Sequence, residues 1–109
     1  MGLYMFQGAY TPESWTSMTK NPQDRSVGLS ELIQKLGGKL VNLYYCFGEY
    51  DVVAIFEAPD DTTASAMVLA AISPGHAKVS KTTKLLTVQE ATEAMRKANS
   101  VSYQPPSKG

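Results

Sequence analysis

Seven side chains in this sequence have the chemistry to hold a ligand or move a proton: Tyr4, Trp15, Tyr45, Cys46, Tyr50, Asp51 and His76. Asp51 is the sharpest of them. It stands at the start of an apolar run, next to a glycine turn, and no other carboxylate occurs between it and Glu57. A carboxylate there either accepts hydrogen bonds from nearby backbone amides or is kept for a ligand. Tyr50 can offer its phenol to a pocket or pack as a cross-strand aromatic. His76 is the sole histidine and follows Pro74-Gly75. General acid–base work suits it, but it lacks the H-x-H or H-x-x-E companion of a metal ligand, and an exposed loop position explains it equally. Cys46 reads as a small buried hydrophobe in mid-strand. Trp15, with Met18 and Met5, either fills the core or lines an apolar pocket between the first helix and the sheet. Neither a resident metal nor a cofactor is expected, although a metal site shared between chains stays open.

These side chains must be positioned by a βα framework. Residues 3–10 carry apolar side chains on both parities, as in a strand covered on both faces. Thr11-Pro12 is a helix start, a capping hydroxyl followed by a residue suited to the first helical position. Asn21-Pro22 repeats that signal and predicts a second helix or a sharp bend there, with Asp24 near its positive end. Leu29, Leu32, Ile33 and Leu36 then follow helical spacing, and Gly37-Gly38 closes the helix.

Residues 40–47 and 50–57 read as a hairpin joined by a two-residue turn at Gly48-Glu49. In the first arm Val41, Leu43, Tyr45 and Phe47 share a face, opposite Leu40, Asn42, Tyr44 and Cys46. The second arm has no charge on either face from Val52 to Phe56, which places it in the middle of a sheet. Pro59-Asp60-Asp61-Thr62 opens a helix with Ala64, Met67, Val68, Ala71 and Ile72 on its buried stripe. Residues 77–86 alternate as an edge strand guarded by Lys78, Lys81 and Lys84. Thr87-x-x-Glu90 is a capping box, and the helix behind it is expected to bury Val88, Ala91, Met95 and Ala98. Residues 1–98 thus form one domain, and residues 99–109, with Pro105-Pro106, read as a mobile tail.

The totals exclude several classes. A chain of 109 residues makes one domain. Ten basic residues balance ten acidic ones, which argues against nucleic acid and against an anionic membrane surface. One cysteine allows no internal disulfide. No apolar run reaches membrane-spanning length, and residues 1–10 lack the pattern of a signal peptide, so a cytoplasmic protein is expected.

The order β-α(α)-β-β-α-β-α is the split β-α-β pattern of an α+β ferredoxin-like fold, with a four-stranded antiparallel sheet and a C-terminal helix. Its helices cover one sheet face. The two strands expected at its centre are apolar on both faces, so a bare second face would be a large apolar patch. Homo-oligomerisation, with sheets packed face to face, resolves this.

Residues 35–61, KLGGKLVNLYYCFGEYDVVAIFEAPDD, resemble the signature of the GYD domain family, whose Gly-x-Tyr-Asp-like element is Gly48, Tyr50 and Asp51 here. The resemblance runs from about Tyr4 to Lys97. It implies a ferredoxin-like domain of the dimeric α/β-barrel kind and supplies no catalytic residues. The expected role is an oligomeric module that binds a small apolar or aromatic molecule, or serves assembly or regulation, with Tyr4, Trp15, Tyr45, Tyr50 and Asp51 at its site. The alternative is a small cofactor-free enzyme, isomerase- or oxygenase-like, with Asp51 or His76 as base and a tyrosine as proton donor.

Overall fold

Strand β1 (Gly2–Tyr10) passes into α1 (Pro12–Lys20), where the Thr11 hydroxyl accepts from the Ser14 N–H and Pro12 begins the helix. The remaining elements in this computed structural model, which describes residues 1–107, are α2 (Ser26–Lys35), β2 (Lys39–Tyr45), β3 (Val52–Ala58), α3 (Asp61–Ile72), β4 (Ala77–Leu85) and α4 (Val88–Asn99). The four strands are antiparallel in the order β2-β3-β1-β4. This is the expected α+β ferredoxin-like topology, with β1 and β3 at its centre. Asp60 caps α3 through the Thr63 N–H, and Thr87 and Glu90 form the reciprocal capping box of α4.

The second helix starts later than Asn21-Pro22 suggests. Asn21 closes α1 by donating to the Ser17 carbonyl, and the Asp24 carboxylate accepts from both the amide and the hydroxyl of Ser26. The orphan N–H that needs an acceptor is therefore at Ser26. At the other end Gly37 adopts φ 84°, and Gly38 donates to the Ile33 carbonyl, which closes the helix as expected. Gly38 also meets the sheet closely, because a Cβ there would run into the Glu57 carbonyl oxygen.

Cross-strand pairs assign the two faces of the sheet. Tyr4, Phe6 and Gly8 pair with Phe56, Ala54 and Val52, and together they face α2 and α3. Ile33 of α2 and Ala64 and Met67 of α3 complete the buried core over them. Leu3, Met5, Val53 and Ile55 lie on the opposite face, where no element of the chain covers them. In β4 the row Lys84, Thr82 and Ser80 pairs with the helix-facing side of β1, while Val79, Thr83 and Leu85 join the open face.

Three expectations are corrected. The hairpin turn is a longer loop, 46–51, in which Asp51 still bonds both neighbouring chain segments: its N–H donates to the Gly8 carbonyl and its own carbonyl accepts from the Cys46 N–H. Gly48 keeps the anticipated positive φ, at 151°. Cys46 thus begins a loop, half-buried, with its thiol donating to the Tyr50 carbonyl, and Tyr50 precedes β3. Next, a register shift between Leu40 and Asn42 puts Leu40, Leu43 and Tyr45 on one face, so simple alternation fails in β2. Finally, α4 buries none of its stripe: Val88 is 85% exposed and Met95 67%. α2 and α3 already occupy the helix face, and the neighbouring row of β4 is polar, so α4 finds no apolar surface on that side of the sheet. It stands away from the domain, and the radius of gyration is 17.9 Å against about 13 Å for a compact chain of this length. Residues 100–107 form no regular structure, and Lys108 and Gly109 of the expected tail lie outside the described residues.

The Gly38 contact yields a paired test. Gly38→Ala should lower unfolding free energy by about 2 kcal/mol or more, because backbone must shift. Gly28→Ala, with open space around its Cβ inside α2, should raise it by up to about 1 kcal/mol. Chemical denaturation of both variants reads the difference.

Candidate functional site

The candidate side chains fall into two groups at opposite ends of the sheet, with a cavity beneath the helices. At the first end the loop brings Asp51 against the β1–α1 junction. Its Oδ2 accepts from the Tyr10 N–H at 2.9 Å and from the Trp15 indole N–H at 3.2 Å. Tyr10 packs edge-on to Trp15 and tilted against Tyr45, with centroids 5.4 and 6.5 Å away. Burial first, and the neighbouring Tyr45 second, push the Tyr10 phenol up to about 12. Trp15, Tyr45 and Asp51 are thus brought together around Tyr10, which was not among the predicted site residues. Asp51 bonds a strand end and a helix side chain rather than the amides of its own turn. It therefore fixes where α1 leaves the sheet.

Tyr4 is separate. Its ring is buried against Phe56, and its hydroxyl donates to Asp61 Oδ1 at 2.5 Å. The Lys84 ammonium lies 3.2 Å from Asp61 and 4.7 Å from the Tyr4 ring centroid. The Tyr4 hydrogen bond, then that of Lys84, holds Asp61 below the usual carboxylate range. The same bond to Asp61, then burial, raises the Tyr4 phenol. The group ties the start of α3 to β1 and β4. Asp61 and Lys84 are solvent-exposed there.

Between the sheet and α2 and α3 lies an open cavity of about 460 Å³, within the usual range for a small-molecule site. Phe6 and Ala54 form its floor, and Leu29, Leu32, Val68 and Ile72 form its walls. It exists because facing positions carry small side chains, Ala54 in the sheet, Gly28 in α2 and Ala71 in α3, while the Phe6 ring already lies over Gly8. Its polar rim gathers where β1 ends and α2 and β4 begin, with Tyr10, Asp24, Arg25 and His76. Of the predicted site residues only His76 lines it; Tyr4, Trp15, Tyr45, Tyr50 and Asp51 do not. Arg25 and the cavity walls were missed as site residues. The aligned small residues were the available signal, but their alignment depends on strand register. Among the described residues no cluster of His, Cys, Asp or Glu could hold a metal, and no helix is long and apolar enough to cross a membrane.

The family model of the GYD domain matches residues 4–95. The chain belongs to the GYD domain family. No curated protein matches it. Among solved structures, MtbAldR is similar with a TM-score of 0.58 and 12% identity over 79% of this chain, which spans only 53% of MtbAldR. The protein TTHA0845 from Thermus thermophilus is similar with a TM-score of 0.52 and 18% identity, covering 81% of this chain and 96% of that one. FFRP-DM1 matches with a TM-score of 0.51 and 14% identity over 79% of this GYD chain and 100% of its own. At these identities the likeness is one of fold.

In this GYD domain Asp51→Ala leaves two part-buried donors without an acceptor. It should destabilise by about 1–3 kcal/mol and alter the Trp15 fluorescence, with Asp51→Asn less severe because one oxygen remains. Thermal unfolding followed by tryptophan emission checks both effects.

Proposed function

We propose that this GYD domain is an oligomeric module that binds a small, largely apolar molecule in the cavity between its sheet and helices α2 and α3. The cavity is the observation that carries this reading. Wall atoms facing a void lose their packing partners, and a domain of this size has only about 5–15 kcal/mol of total stability. A chain that aligns Gly28, Ala54 and Ala71 around such a space gives up packing that larger side chains would supply. Binding is favoured over catalysis because the expected base, Asp51, already accepts two hydrogen bonds and lies outside the cavity. Among the described residues the His76 side chain has no hydrogen-bonded partner to act with.

The oligomer follows from the open sheet face. Leu3, Met5, Val53, Ile55, Val79 and Leu85 are directed there by register, on the side away from α2 and α3. A second sheet packed about 10 Å above would remove them from water. The α4 stripe adds to the same demand, since a helix this short is marginal in water without a packed face. A regulatory or assembly role fits such a domain, with ligand and subunit contact on opposite sides of one thin sheet.

Titration with octan-1-ol, a neutral apolar probe, should shift the methyl resonances of Leu29, Leu32, Val68 and Ile72, and Ala71→Phe should abolish the shifts. Shifts confined to Leu3, Val53 and Ile55 would overturn the cavity as the site. In sedimentation velocity at micromolar concentration, the protein should run as a dimer or larger species and Ile55→Asp as a monomer. A strict monomer for the unmodified chain would refute the assembly.

A further inference from the structure

The rim of the cavity is chemically unlike its walls, and the difference specifies what enters. Leu29, Leu32, Val68 and Ile72 surround an apolar channel over Phe6 and Ala54, with no charged side chain among the lining residues at that depth. Every charged group of the lining lies at one end, in the segments that precede α2 and β4. Arg25 is central among them. It lines the cavity and also a smaller adjoining hollow formed with Thr11, Glu13, Ser14, Ser17, Gly75 and His76. Among the described residues its guanidinium makes no ion pair and no side-chain hydrogen bond, although two carboxylates are near. Asp24 is directed instead to the amide and hydroxyl of Ser26. Glu13 borders the hollow but not the cavity. The His76 imidazole stands on the same rim, and its backbone is anchored by the Thr11 N–H donating to its carbonyl at 3.0 Å. Tyr10 also lines the cavity, with its ring packed against Trp15 and Tyr45.

We infer that the ligand is an amphiphilic monocarboxylate, with its aliphatic or aromatic body between α2 and α3 and its carboxylate at the rim on Arg25. His76, on the same rim, supplies a further donor. This deepens the proposed function and rests on the cavity being a binding site. The chemistry follows from pairing. A planar guanidinium with no protein partner binds a carboxylate through two parallel hydrogen bonds, stronger than bonds between neutral groups. A neutral body of similar size would leave the same groups to water. A dianionic or polyphosphate headgroup is disfavoured, because the rim holds one guanidinium and the Asp24 carboxylate beside it. Fatty acids and aryl-alkanoic acids share the required chemistry, and the length and width of the body distinguish them.

The test compares decanoate, 4-phenylbutyrate and decan-1-ol by isothermal titration against the wild-type protein, Arg25→Gln and Ala71→Phe. One carboxylate per chain should bind. Because Arg25 is solvent-exposed, Arg25→Gln should weaken that carboxylate about threefold to fivefold, as expected for loss of a screened ion pair, and leave decan-1-ol within about twofold. Ala71→Phe should remove all binding. The stronger of decanoate and 4-phenylbutyrate identifies the body. Equal binding of acid and alcohol, both indifferent to Arg25→Gln, would overturn the headgroup assignment while leaving the cavity as a site. Failure of all three probes on the wild-type protein would overturn the cavity reading and this inference with it.

Discussion

The structure depends on a constraint in its two central strands. β1 and β3 must pair with each other along their length while carrying apolar side chains on both faces. Hydrogen bonding fixes their register, and register decides which apolar row meets the helices. Tyr4, Phe6, Ala54 and Phe56 become the inner row under α2 and α3. Leu3, Met5, Val53 and Ile55 become the outer row, which the chain leaves uncovered. A slip of one residue would exchange these rows and place Glu57 and Gln7 under the helices.

Two polar fastenings hold that register at the ends of the sheet. Asp51 takes the Tyr10 amide and the Trp15 indole, which fixes the exit of β1 and the seat of α1. Tyr4, Asp61 and Lys84 tie α3 to the other end. Between them the helix layer is thin over the middle of the sheet, where glycine and alanine face one another. The cavity is the space between two fastened ends. Its polar rim lies beside the Asp51 fastening, so a ligand there would sense the position of α1 as well as that of α2.

Much of this was legible in the sequence. The caps at Thr11, Asp60 and Thr87 act as their side-chain chemistry requires, and Gly37-Gly38 closes α2 by the backbone bond anticipated for it. The central placement of β3 followed from its two-sided apolarity. What failed had non-local causes. The loop at 46–51 is long because Asp51 binds residues far away in sequence, and no turn rule contains Tyr10 or Trp15. The bulge at Val41 reverses the face of Leu40 because of its partner strand. Helical spacing identified the apolar stripe of α4 but could not say that the stripe stays exposed, because that depends on where the helix docks. Arg25 has no motif at all; it matters only because β1 ends and β4 begins beside it.

The most direct test is the crystal structure of the protein with decanoate bound. Density for the aliphatic chain is expected between α2 and α3, over Phe6 and Ala54, with the carboxylate at Arg25. Density on the face formed by Leu3, Val53 and Ile55, or a cavity closed by collapse of Leu29 and Val68 onto the sheet at saturating decanoate, would contradict it.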